Sequence, residues 1–264
     1  MLALGTSSGL SFDAQATRDP WTGQLRTGAP DLLVFSRTWF ASVGSIGLLT
    51  LALGALGLRR GGPRAAATAV AVIAAGLVCA EALKWGLGEL MPLGGETEHG
   101  AAASWPSVHA TVGIAVCLSI AALAPARWRP AAIALAVAYP SGMGVAAMLE
   151  GWHYPSDVVA GHLLGAALIV AGAPALAGRA AAPAALGSAP VRDPRVALAV
   201  RAGLAGGVVL LILTLVDTAV RHVPDRVLGA HVLGGTVVVA VSAAVAVLGV
   251  FGLRGAGVQA ALRT

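Results

Sequence analysis

Residues 65–88 read AAATAVAVIAAGLVCAEALKWGLG, and the first sixteen of them carry no charge. An α-helix needs about 20 apolar residues to cross the ~30 Å hydrocarbon layer of a bilayer, so this stretch reads as a transmembrane helix. Its far end breaks the pattern with Glu81 and Lys84. Lys84 is the single lysine among 264 residues, every other cation being an arginine. On insertion scales an ammonium costs about 2.5–3.5 kcal/mol at a helix centre and less near an end. A charge kept at such a place calls for a partner or a function. Glu81, one helical turn earlier, is the nearest candidate for the partner.

The same apolar pattern recurs outward in both directions. The chain is 57% hydrophobic and 11% charged, where a soluble domain carries about 25% charged residues. Mean hydropathy is +0.83. The apolar runs predict an all-α, polytopic transmembrane bundle of six to seven spans, at 34–58, 65–88, 107–125, 131–149, 158–178, 197–219 and 228–253. Turn chemistry separates them, as at Gly61-Gly62-Pro63, Pro125, Pro130 and Pro155. Alternating ten-residue segments, which an outer-membrane barrel would need, are missing. The formal net charge of +5 lies mostly in loop arginines. It therefore reports orientation and excludes nucleic acid as the partner, leaving the lipid bilayer. Cys79 and Cys117 each fall in an apolar span and read as small hydrophobes.

Arginines set the expected orientation. Arg59, Arg60 and Arg64 follow the first span, Arg127 and Arg129 the third, Arg179, Arg192 and Arg195 the fifth, and Arg254 and Arg263 the seventh. The positive-inside rule makes these ends cytoplasmic. Lys84, Ser107, His109, His153 and Asp157 then all land on the external face of a cell membrane. Residues 1–31 are expected on that outer side, as a surface segment or the remnant of a longer first helix. Residues 179–196, rich in Ala, Pro and Gly, read as a cytoplasmic linker between the spans of 32–178 and two C-terminal spans in 197–264.

The most specific local signal is Gly151-Trp152-His153-Tyr154-Pro155-Ser156-Asp157. Pro155 presets the backbone for a first helical turn, which brings His153 and Asp157, four apart, to one side. A carboxylate that takes one imidazole N–H fixes the tautomer and frees the other nitrogen to attack or to move a proton. Ser107-Val108-His109 opens another span after Pro106. A helix N-terminus there offers backbone N–H groups and the positive end of the dipole, an anion site. Ser107 reads either as an ordinary N-cap or as a donor to that anion, and His109 either as an interfacial residue or as a proton donor. His162, inside the fifth span, reads as a helix–helix hydrogen bond, and Asp217 with Arg221 as an ion pair. Glu96, Glu98 and His99 form a polar loop, and no metal-ligand spacing joins them to the other histidines.

Together these motifs resemble the type-2 phosphatidic acid phosphatase family of membrane lipid phosphatases and their haloperoxidase relatives, over roughly residues 75–175. Lys84 and Pro92 match the first family motif, with Met91 where the family has arginine. Pro106-Ser107-Val108-His109 matches the second, with Val108 in place of glycine. His153 and Asp157 keep the spacing of the third, with Ala147 at the place of its arginine. The resemblance implies a lipid-phosphatase-like five-span core over residues 32–178 and an enzyme that hydrolyses a lipid phosphate or diphosphate. It makes His153 the nucleophile, Asp157 its orienting carboxylate and His109 the proton donor to the leaving oxygen. Lys84, Ser107 and the Val108 N–H would hold the phosphoryl oxygens. No metal and no other cofactor is implied. The two absent arginines leave a second reading open, a family member that binds a lipid phosphate or a partner protein without hydrolysing it.

Overall fold

Gly62 folds the first two expected spans into one helical hairpin. Helix α1 (Val43–Leu87) is helical on both sides of this residue, whose φ of 75° lies in the left-handed region. Glycine enters that region at no steric cost, and Pro63 next to it suits the first turn of the returning arm. The arms run antiparallel in close contact, with Gly57 against the Ala66 backbone and Gly54 against the Val70 side chain. The computed structural model describes residues 43–87, 105–125, 127–149, 153–177 and 225–255, together with residues 198 and 205.

Four further helices complete the described part: α2 (Val108–Leu123), α3 (Arg129–Leu149), α4 (Pro155–Ala177) and α5 (Asp225–Gly255). Helix α2 is the centre of the bundle, with Ile114, Leu118 and Leu123 fully enclosed. It is apolar on all sides, as a helix surrounded by other helices must be. Helix α1 behaves differently: Leu51, Leu58, Val78 and Trp85 stand exposed on it. In water such a surface would be a liability; toward lipid it is the required one. Among the described residues three helical stretches, Gly44–Leu87, Pro155–Ala173 and Leu233–Val250, are long and apolar enough to cross a membrane, and the shorter α2 is apolar too. The all-α class is as the sequence predicts. The expected span at 197–219, apart from residues 198 and 205, the segment 1–31 and the linker 179–196 lie outside the described residues, so the count of six to seven spans is not established.

Small residues set the helix spacing. Gly161 and Gly165 on α4 lie directly over the Ser107 and Thr111 carbonyls of α2, the close backbone approach that a small-x3-small pattern permits. Gly172 packs on Val72 and Thr68, while Gly76 packs on Thr111 and Leu168. The returning arm of α1 therefore runs antiparallel to α2 and α4. Helix α5 closes the other side, with Val238 against Gly144 and Gly249 against Leu118. In the apolar interior, Ser242 Oγ lies 2.7 Å from His162 Nδ1, a hydrogen bond between α5 and α4.

These directions sort the charges by end. Arg59, Arg60 and Arg64 flank the hairpin turn, and Arg127 and Arg129 follow α2 at the same end. Arg129 is buried and donates to the Ala124 carbonyl at 3.3 Å, capping α2. Lys84, Ser107, His109, His153 and Asp157 occupy the opposite end.

Candidate active site

The first turn of α4 is built around one carboxylate. Pro155 opens the helix, and the carbonyl of Tyr154 before it accepts the N–H groups of Asp157 at 3.0 Å and Val158 at 3.3 Å. Asp157 Oδ2 reaches back to accept the Tyr154 N–H at 2.9 Å. The carboxylate supplies one half of a capping box, with aspartate in the third helical position, where a negative charge also meets the positive helix end. The same Oδ2 lies 3.6 Å from His153 Nδ1. The His153 N–H is directed at the Ala147 carbonyl at 3.4 Å, so the end of α3 anchors the turn as well. His153 and Asp157 are both buried.

Helix α2 starts beside this turn and is tied to it. Ser107 is its N-cap, the hydroxyl accepting the Ala110 N–H at 3.3 Å. The Ser107 N–H donates to the Asp157 carbonyl at 3.0 Å. Asp157 thus serves both helix starts, with its carbonyl on α2 and its carboxylate on the histidine turn. Val108 is the first helical residue, and N–H groups of a first turn have no acceptor within the helix. Its side chain is buried. The His109 ring centroid lies 6.1 Å from that of His153, with the ring planes at 61°.

Lys84 reaches the same end by a different route. Its Nζ is 3.4 Å from Glu81 Oε1, with the lysine side chain 19% exposed and the glutamate 48%. Gly76 packs at the level of Thr111, and Lys84 stands roughly 12 Å further along the arm at 1.5 Å per residue. This carries it to the end of the bundle at which α2 and α4 begin. Among the described residues Glu81 is its polar partner, as the one-turn spacing predicted.

The structure therefore brings His153, Asp157, Ser107, Val108 and His109 into one cluster at paired helix starts, with Lys84 at the same end of the bundle. Ser107 is the N-cap of one of its two expected roles, and its hydroxyl keeps a proton to donate. His162 makes the interhelical hydrogen bond expected of it. Ala147, where the related family has arginine, is buried and meets His153 through its backbone. Met91, Glu96, Glu98, His99, Asp217 and Arg221 lie outside the described residues. Among the described residues no group of three or more His, Cys, Asp and Glu could hold a metal. Sequence reasoning missed Gly161 and Gly165, which let α4 settle on α2 and so bring the two histidines together. The signal was present as Gly161-His162-Leu163-Leu164-Gly165.

Fold and site define a class: an all-helical protein with helices of membrane-spanning length and a carboxylate-backed histidine facing a second histidine. Residues 65–181 match the family model described as PAP2 superfamily, so this stretch is similar to that superfamily. No curated protein and no solved structure matches the chain.

Proposed function

We propose that this protein is an integral membrane phosphatase that hydrolyses a lipid phosphate or diphosphate through a phosphohistidine. The substrate classes are a polyprenyl phosphate, phosphatidic acid or a phosphorylated glycolipid precursor. The observation that carries the reading is the placement of His153 over Asp157 with His109 across from it, at two helix N-termini. Asp157 accepts the Nδ1–H of His153, which fixes the tautomer and leaves Nε2 as the nucleophile. The 3.6 Å separation is longer than a hydrogen bond and shortens when substrate binds, as such contacts commonly do.

In the first half-reaction the Nε2–P bond forms while the bond from phosphorus to the lipid oxygen breaks. His109 gives that oxygen its proton. In the second, water attacks the phosphohistidine, His109 takes the water's proton, and the P–N bond breaks to release phosphate. Lys84, Ser107 and the Val108 N–H stabilise the phosphoryl oxygens, the larger part of the work in phosphoryl transfer. The grouping of Arg59, Arg60, Arg64, Arg127 and Arg129 at the far end of the bundle supports a site on the external side of a cell membrane.

A second reading is a binder without turnover. It rests on Ala147, whose methyl side chain offers no donor where an arginine would offer two N–H donors to phosphate. Phosphate release from a panel of lipid phosphates by protein in detergent, with EDTA present, separates the two. The phosphatase reading expects release that disappears in His153→Ala. Absence of release with lipid phosphate still bound supports the binder.

A further inference from the structure

Beside His109 the bundle carries an apolar cleft of about 190 Å³ between the first arm of α1, α2 and α3. One wall is the α2 face Val112, Val116 and Ile120; Ile46 and Leu49 of α1 and Leu135 of α3 close it. Leu135 is 44% exposed, so the cleft opens sideways between α1 and α3, on the apolar flank of the bundle. His109 lies at its upper end and so belongs both to the cleft and to the histidine pair. Just below, Gly113 faces Met143, whose Cε would stand 2.6 Å from a Cβ at that position.

We infer that this cleft holds a single hydrocarbon chain of the substrate, laid along α2 from His109 to Ile120, with Gly113 and Met143 setting its width. The inference rests on the lipid-phosphatase reading and names how that substrate is recognised. Continuity with the site selects the occupant: a ligand whose phosphate meets His153 and His109 has its first methylenes at the mouth of the cleft. Volume selects one chain over two. The space is a little larger than the ~150 Å³ apolar cavity that takes a benzene ring, enough for one chain in single file. From His109 to Ile120 the run is about 16 Å at 1.5 Å per residue. Any second chain stays in the surrounding lipid.

The physical consequence is orientation more than attraction. A chain moving from lipid into an apolar cleft gains little, because the two surroundings are alike. Seating it instead fixes where the phosphate lies, and a misplacement of about 1 Å there lowers rate by roughly 10²-fold. Chain length should therefore be felt in turnover, and differently at the two depths of the cleft.

Two measurements on full-length protein in detergent test this. In the first, an alkyl phosphate with a diazirine near its tail is crosslinked and its adducts mapped by mass spectrometry. Adducts on Val116 or Ile120, lost in Gly113→Val and not formed by the matching alcohol, support the cleft. Adducts confined to exposed α1 positions such as Leu51 or Trp85, or equal labelling by the alcohol, overturn it. This readout needs no turnover, so labelled cleft residues without phosphate release would keep the cleft and sink the hydrolase reading.

In the second, phosphate release is followed over a series of alkyl chain lengths. Ile120→Trp should lower turnover about tenfold or more for chains that pass Ile120, within the range one misfitted methylene gives, and leave shorter chains as in wild type. Gly113→Val should lower it for all but the shortest. Equal effects at every chain length would mean general damage and overturn the assignment.

Discussion

Replacing Gly161 by alanine tests the contact that holds the site together. A Cβ at this position would stand 2.5 Å from the Ser107 carbonyl oxygen and 2.9 Å from the Ala110 Cβ. The obstacle is backbone, so no side chain can swing away. Restoring an ordinary 3.4 Å contact moves α4 off α2 by about 0.9 Å. The same movement stretches the 3.0 Å bond from the Ser107 N–H to the Asp157 carbonyl beyond hydrogen-bonding range. Overpacking of this kind costs about 1–3 kcal/mol, while helix propensity returns about 1 kcal/mol on going from glycine to alanine. The net loss of stability is about 0–2 kcal/mol, modest beside the effect on geometry. A displacement near 1 Å between reacting groups lowers rate by roughly 10²-fold. Phosphate release and thermal unfolding should therefore diverge, with activity down about a hundredfold and Tm down by a few degrees at most. Amide exchange at Ser107, faster in the variant, reports the contact without turnover. Gly47, with nothing within 4 Å of a Cβ, supplies the control, and Gly47→Ala should match or exceed wild-type stability. Gly161→Ala with wild-type turnover and unchanged exchange at Ser107 would refute the backbone approach of α4 to α2.

Asp157→Asn keeps an oxygen for the Tyr154 N–H but removes the charge beside His153; turnover should fall about 10²–10⁴-fold with Tm nearly unchanged, read by phosphate release and unfolding in parallel. Ser242→Ala leaves the buried His162 without its partner on α5 and should destabilise by about 1–3 kcal/mol, visible in denaturant unfolding. Adding His162→Phe should recover part of that loss, because an apolar pair leaves no polar group unpaired. Met91→Arg puts a cation at the position where the resembled family motif has arginine, and turnover should rise by about 10–10²-fold, the scale of one charge-stabilising group. Treatment with EDTA should leave release unchanged, measured before and after dialysis.

The parts of the site legible in the sequence were those written in local spacing. His153 and Asp157 sit four apart around Pro155, and proline at a first helical turn told where α4 begins. Lys84 and Glu81 are three apart in an apolar run, so their pairing followed from one turn of helix. The N-cap at Ser107 followed from the proline before it and the apolar run after it. What escaped notice depends on how distant segments meet. Gly161 and Gly165 form a visible pattern, but nothing local says that the Ser107 and Thr111 carbonyls lie across from them. The cleft beside His109 exists because Gly62 turns α1 back on itself and brings Ile46 and Leu49 against α2. The Ser242–His162 bond joins residues eighty positions apart; His162 announced a partner, and only the packing of α5 named it.

That last bond separates two boundaries that are easily taken as one. The stretch matching the superfamily stops at residue 181, yet α5, which starts at Asp225, supplies Val238 and Val239 to a cluster with Ala110, Val145 and Val158. Val158 follows Asp157 directly in the chain and is fully enclosed. A gene fragment ended at the superfamily limit would encode every motif residue and still strip the covering from the residue next to Asp157. The length of polypeptide that carries the chemical inheritance is shorter than the length that must fold for it to be expressed.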